Sequence, residues 1–325
     1  MHIPDGYLSP KTCVLFYAGM APVWYLASRK ASMSLKVRQL PMLALGAAFT
    51  FLIMMFNIPI PGGSSGHMVG TVVVSIVLGP WAGVVALSIA LALQAFLFAD
   101  GGVLALGANC FNMAFLMSFT GYYIYRALTI GKSGHVRRFA ASAVAGYIAL
   151  NIAAFAVALE LGVQPAIAGT AAGIPLYAPY PLPVTIPAMM LPHMLFFGPV
   201  EAMGTALVVS YAVRSNEDIL YNPERARLKP LWIIIAVMII LTPIGLIASG
   251  TPWGEWGKDE VLKIAGFVPS GMDRFGDVWR GFLPDYGMPG VENRFASAVF
   301  YVLSAAVGSG AVVFAIYLWG RLWRR

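Results

Sequence analysis

Runs of about twenty apolar residues, parted by short clusters of Lys and Arg, decide what this chain can fold into. A bilayer core of roughly 30 Å takes about 20 mostly apolar residues per helical crossing. Within lipid the backbone must also satisfy its own hydrogen bonds. Suitable runs occupy residues 11–29, 40–57, 68–79, 81–98, 103–125, 139–162, 187–213, 231–249 and 296–320. The expected fold is therefore all-α, a polytopic transmembrane helical bundle of about nine spans. The third run is short, and Gly79 and Pro80 part it from the fourth, so the two are expected to form a tilted or partly re-entrant hairpin.

Composition supports a lipid environment. The chain is 59% apolar and only 11% charged, against roughly 25% charged in a soluble domain. That excludes most cytosolic enzymes, secreted domains and nucleic-acid binders. The net charge of +7 makes no nucleic-acid surface, because Lys and Arg do not gather on one solvated face. Cys13 and Cys110 both lie in apolar runs and read as packing residues.

The basic clusters set the orientation through the positive-inside rule. Arg29, Lys30, Lys36 and Arg38 form one; Arg126, Lys132, Arg137 and Arg138 a second; Arg214, Arg225, Arg227 and Lys229 a third; Arg321, Arg324 and Arg325 the last. All four fall on one side if the Gly79 hairpin counts as two spans. The N-terminus is then outside and the C-terminus inside, in a multi-pass protein of the inner cell membrane. Residues 214–230 read as a cytoplasmic linker between a unit at 1–213 and a two-span unit at 231–325. The latter's external loop, 250–295, is slightly acidic and holds Trp253, Trp256 and Trp279.

The opening MHIPDGYLSP lacks the basic and apolar regions of a signal peptide, and His2 is too bulky for routine removal of Met1, so a free Met1 amine is expected. Of the four histidines, His135 sits beside Arg137 and Arg138 and reads as solvated. His2 and His67 both fall outside. His67 lies in NIPIPGGSSGHMVG, where the prolines and glycines forbid regular helix. Irregular backbone at membrane depth belongs against protein or a polar cavity, which makes this loop a candidate binding element.

A histidine at position two can chelate through three nitrogens: the Met1 amine, the His2 amide and the His2 imidazole. The His67 ring could fill a fourth position in the same plane. Such a nitrogen-rich square plane suits Ni²⁺ or Cu²⁺, with low-spin Co²⁺ conceivable. Ca²⁺ and Mg²⁺ prefer oxygen, and structural Zn²⁺ a tetrahedron. Capture should weaken with acid, because the nitrogens must be unprotonated.

Four segments in order, MHIPDGYLSP, GGSSGHMVG, LQAFLFADGGVLALGANCFNMA (residues 93–114) and PHMLFFGPVEA (residues 192–202), resemble the CbiM/NikM family, the substrate-capturing membrane components of energy-coupling-factor cobalt and nickel importers. The likeness spans roughly residues 1–213; residues 231–320 more weakly resemble the two-span CbiN/NikN companion, here fused. The resemblance implies that Met1, His2 and His67 hold Co²⁺ or Ni²⁺ as transported substrate. It also implies a transmembrane coupling subunit and two cytoplasmic ATPase subunits as partners. No GxxxxGK[ST] phosphate loop occurs in this chain, so ATP hydrolysis falls to the partners.

Four polar residues are candidates to support the ligands: Ser64 and Ser65 beside the loop histidine, Asp100, and His193. Ser64 and Ser65 serve equally as turn caps, Asp100 as a turn residue beside Gly101, and His193 as a helix-end hydrogen-bonding group. Asn109 and Asn112 read as interhelical glue. Glu201 lies ~12 Å along the helix from His193, too far to pair, and reads as structural or partner-contacting. Gly19, Ala18 and Ala21 permit close helix approach. The rivals are a membrane-embedded metalloenzyme, which lacks an HExxH-type pair here, and a passive cation channel, which wants acidic rings that Glu160 and Glu201 do not make. No catalytic residue and no catalytic cofactor is expected.

Overall fold

The computed structural model describes residues 1–61, 63–131, 134–215, 228–248, 250–291 and 293–323. Helix occupies each of the nine apolar runs: α1 (Pro10–Ser34), α2 (Leu40–Met54), α3 (Thr71–Leu78), α4 (Pro80–Leu93 with a π-helical turn Gln94–Phe98) and α5 (Leu106–Asn109, a π-helical stretch Cys110–Leu116, and Met117–Leu128). There follow α6 (His135–Gly162), α7 (Leu182–Pro192, a π-helical turn His193–Phe197, and Gly198–Ser215), α8 (Leu228–Leu241) and, after two short helices, α9 (Lys258–Ala265) and α10 (Ser270–Phe275), the long α11 (Arg294–Trp323). Five described helices are long and apolar enough to cross a membrane: Pro80–Phe98, His135–Ile167, Leu182–Arg214, Leu228–Ile247 and Arg294–Trp323. The chain is thus a helical membrane protein. Lys132, Arg225, Arg227, Arg324 and Arg325, and most of the linker, lie outside the described residues.

One small element departs from an all-α fold. Ile58–Ile60 (β1) and Ser64–Gly66 (β2) pair antiparallel, Ile58 opposite Gly66 and Ile60 opposite Ser64. Pro59 lacks an N–H to donate, and a two-stranded edge tolerates that.

The hairpin leads into α3, whose eight residues rise only ~12 Å. Gly70 at φ +73° opens it and Gly79 at φ +91° closes it just before Pro80. Because α3 is wrapped by α2, α4, α5 and α7, water cannot reach its first N–H groups, and a buried helix start needs a partner. Glu201 on α7 is that partner: its carboxylate accepts from Val69 N at 2.7 Å and from Gly70 N at 3.1 Å, and it is fully buried. The intramembrane acid is therefore structural, and it fixes the segment that carries His67.

Replacing Glu201 by Ala orphans two buried donors. The expected cost is about 2–4 kcal/mol, read as a lowered unfolding midpoint in detergent, with Glu201→Gln recovering part of it.

Candidate metal centre

The first nine residues lie inside the protein. Met1 is 6% exposed, His2 2%, Ile3 0% and Tyr7 3%. Burying Ile3 alone contributes about 2 kcal/mol, and a ladder of specific bonds holds the segment. The Asn109 amide receives the Ile3 N–H at 2.8 Å and donates to the Ile3 carbonyl at 3.1 Å, as a neighbouring strand would. Gly102 N–H donates to the same carbonyl at 2.8 Å. Asp5 accepts from the amides of Val103, Leu104 and Ala105 at 2.8–3.3 Å, placing its charge at the positive start of α5. Ser9 caps α1, and its own N–H is taken by Gln164 at 2.9 Å.

A cover closes over this segment from the loop between α8 and α11. The Met1 ammonium is ion-paired with Glu255 at 2.5 Å, and the Tyr7 hydroxyl donates to the Trp256 carbonyl at 2.9 Å. Gly6, at φ +88°, lies so close to α10 that an added Cβ would stand 2.7 Å from the Met272 Cα. The 168–181 loop closes the other flank, Ala178 N–H donating to the Tyr7 carbonyl at 2.9 Å.

His2 and His67 meet beneath the cover, with ring centroids 5.2 Å apart and planes inclined by 38°. His67 Nδ1 faces the Met68 carbonyl at 3.1 Å. A carbonyl only accepts, so Nδ1 carries the proton and Nε2 presents a bare lone pair. That Nε2, and both ring nitrogens of His2, are buried without a hydrogen-bond partner among the described residues. Buried polar atoms are normally satisfied, so nitrogens left this way on two facing rings single out a candidate ligand site. With metal–nitrogen bonds of about 2.0–2.1 Å, two imidazoles sharing an ion keep their rings within about 6 Å. A small cavity of about 20 Å³, bordered by Met1, His67, His193 and Trp253, lies alongside. That is room for one water-sized particle.

Among the described residues, no three His, Cys, Asp or Glu side chains group as a metal cage. Beyond the two facing rings, any further donor to a metal held here would have to be a main-chain nitrogen, a lone carboxylate or water.

The four expected supporting residues divide. Asp100 reaches the site, its Oδ1 lying 3.2 Å from His2 Nδ1. Its Oδ2 accepts from the Tyr286 hydroxyl at 2.5 Å and the Gln94 amide at 3.3 Å. Ser64 and Ser65 turn away from the imidazole: Ser64 Oγ accepts from Trp253 N at 3.1 Å and Ser65 Oγ donates to the Gly250 carbonyl at 2.5 Å, so they fasten the hairpin to the cover. His193 borders the cavity, but its Nδ1 donates to the Met189 carbonyl at 2.7 Å, a bond within α7 and not the helix-end bond weighed for it. Three participants escaped the sequence reading. Glu255 and Tyr286 sit in a loop with many acids and aromatics, and no local pattern marks them. Asn109 reads as helix glue, whereas it grips a main chain.

Charge in the site follows from burial. Desolvation pulls His2 down to about 4; the N-terminal charge adds to this and Glu255 opposes it. Burial likewise holds His67 well below the usual histidine range, helped by the N-terminal charge and by His2. Burial raises Asp100, against the Tyr286 hydrogen bond. Both rings are thus neutral near pH 7, as ligation requires.

Comparison with known proteins agrees with this architecture. The family model described as the cobalt uptake substrate-specific transmembrane region, CbiM, matches residues 2–219. The chain belongs to the CbiM family. A PDGLE domain follows at residues 228–325. The chain is 44% identical to the fused nickel transport protein NikMN of Rhodobacter capsulatus, over 98% of this chain and 96% of that protein. It is 43% identical to the probable fused nickel transport protein LarMN of Lactiplantibacillus plantarum, over 94% and 93%. A crystal structure of a transition metal transporter superposes with TM-score 0.63 at 49% identity, covering 69% of this chain and 98% of that one. His2, His67, Asp100 and Asn109 fall in the CbiM match, whereas Glu255 and Tyr286 fall in the PDGLE match. The second unit thus covers a cleft built by the CbiM unit.

Acid should loosen the metal-free segment. A histidine free in solution titrates near 6.5, so docking of neutral His2 is fully stabilising above that and erodes as pH falls towards about 4. Asp5 and Asp100, both raised by burial, act in the opposite sense. Hydrogen exchange of the residue 2–9 amides, referenced to intrinsic rates, is expected to accelerate through that window; flat protection from pH 7 to 4 would contradict it.

Proposed function

We propose that the protein is the substrate-capturing component of an ATP-driven importer, binding Ni²⁺ or Co²⁺ from outside through the Met1 amine, the His2 amide and ring, and His67. The observation that carries this reading is the burial of the free N-terminus beside two neutral, facing imidazoles with unpartnered nitrogens. An arriving cation takes the place of one ammonium proton and of the His2 amide proton, both of which pass to water, and Asp100 steadies the His2 ring. Four nitrogens in a plane favour Ni²⁺, in keeping with the names of the two fused relatives.

In this reading residues 1–213 form the metal-capturing unit, 214–230 a cytoplasmic linker and 231–325 the covering unit. The chain crosses the inner cell membrane about nine times, N-terminus outside. A transmembrane coupling subunit and two cytoplasmic ATPases supply energy, and the protein itself is no enzyme. Supporting the orientation, Met1, His67 and the cover lie at the end opposite Arg38, Arg214 and Lys229.

Placing one residue before Met1 moves the amine out of chelating position. Nickel retained by the purified protein, measured by elemental analysis after growth with both ions, is expected to fall at least about a hundredfold, or about 2.7 kcal/mol, with the unfolding midpoint unchanged; undiminished retention overturns the ligand assignment. For the cover, Gly6→Ala meets both a positive φ and the Met272 backbone. It is expected to weaken capture roughly tenfold, about 1.4 kcal/mol, read by nickel titration of the purified protein.

A further inference from the structure

Far from the metal centre, α2, α3, α7 and α8 enclose an apolar groove of about 300 Å³. Met42, Phe49, Val77, Val208 and Ile234 line it, and only the Tyr211 phenol brings a polar side-chain atom to the lining. Met42 and Ala212 are buried together against Val77, Leu78, Leu228 and Leu231. That packing sets the start of α2, the end of α3, the end of α7 and the start of α8 at one level. α8 leans on α2 and α11, and its packing on α3 and α7 is sparse, which leaves the gap. From Met42 to Phe49 the groove runs ~10 Å along the helix, within the ~15 Å of hydrocarbon that one leaflet supplies.

Basic residues adjoin one end of the groove in the chain. Arg38 precedes Met42 by four residues, Arg214 follows Ala212 by two, and Lys229 precedes Leu231 by two; all three are exposed. None has an ion-pair partner among the described residues. The described acids belong to the N-terminal segment, the loops at the metal-centre end, the end of α6 and the middle of α7, while Glu217, Asp218, Glu224 and Glu292 lie outside the described residues. The positive-inside rule accounts for cations on this side in general. Three of them stand at the ends of helices that line this groove.

An aliphatic groove offers water no hydrogen bonds, and left empty it forfeits dispersion contacts along its walls. The surrounding bilayer supplies a solute that fits both parts: an alkyl chain for the walls and a phosphate for the basic end. We propose that this groove holds one acyl chain of an anionic phospholipid of the inner leaflet, with its phosphate facing Arg38, Arg214 and Lys229. The leaflet rests on the orientation proposed above; the groove and its charge do not.

The test uses the full chain in detergent, with phosphatidylglycerol and phosphatidylcholine as probes, and native mass spectrometry as the readout. One phosphatidylglycerol is expected to be retained at least tenfold more than phosphatidylcholine. Ala212→Phe fills the groove and should remove retention of both lipids; should that variant not fold, Ile234→Trp, entering from the exposed side of α8, replaces it. Arg214→Gln with Lys229→Gln should remove the headgroup preference alone. Equal retention of the two lipids by the unaltered chain, undiminished phosphatidylglycerol in the filled variants, or a photocrosslink from position 212 that reaches a partner protein's helix in place of lipid in the assembled complex overturns the proposal. Nickel retention, measured in parallel, is expected to be unchanged in every variant. Its loss in the unaltered chain would tell against the metal reading and leave the lipid result standing.

Discussion

Desolvation of the chain's first two residues is the constraint on which the rest depends. A free amine and two imidazoles out of water are costly unless something replaces their hydration. Glu255 does this for the amine and Asp100 faces His2 Nδ1 at 3.2 Å, whereas His2 Nε2 and His67 Nε2 have no partner among the described residues. The surrounding structure must therefore hold the groups in place against their own tendency to leave. Asn109 on the Ile3 peptide, Asp5 on the start of α5, Gln164 behind Ser9 and the fully buried Ile3 side chain together supply that restraint. Each acts on main chain or on an apolar side chain, so none competes for the nitrogens left open.

His67 is held by a different device. Its loop enters a helix too short to cross the bilayer, and the price of burying that helix start is met by the Glu201 carboxylate. The three π-helical turns add to the same design. A π turn widens the helix and re-aims side chains. Gln94, Asn112 and His193 each lie in one, and Asn109 immediately precedes the one that holds Asn112. Gln94 thereby meets Asp100 and Tyr286, Asn112 meets Glu160, and His193 borders the small cavity, all from helices otherwise built of Ala, Leu and Val.

The helical bundle and the histidine pair were legible in the sequence; the enclosure around them was not. Apolar runs of fixed length report helix directly, because lipid leaves the backbone no other partner, and a helix occupies every run so identified. His67 could be singled out because irregular, glycine-rich backbone is expensive at membrane depth, and His2 because position two allows chelation with the terminal amine. Glu255 and Tyr286 carried no such mark. Their roles depend on how a loop about 250 residues distant folds back over the N-terminus, and long-range docking leaves no periodicity to read. Ser64 and Ser65 illustrate the same limit: adjacency in sequence suggested the imidazole, whereas the hairpin turns both hydroxyls towards the cover. Asp100 did point at the histidine, but its bond to Tyr286 comes from the other unit.

Dividing the site between two units has a mechanical consequence. The CbiM unit presents the rings, the PDGLE unit holds the amine through Glu255, and both meet on Asp100 through Tyr286. On the proposed reading, a captured cation takes the amine from Glu255 and so gives up one contact between the cover and the N-terminal segment, while the Tyr7 bond to Trp256 and the close approach of Gly6 to Met272 stay. The contacts of Asn109 and Asp5, which belong to the CbiM unit itself, are untouched. A later disruption that releases the ion must therefore act on restraints from both units, those of Asn109 and Asp5 and those that the cover keeps on Tyr7 and Gly6.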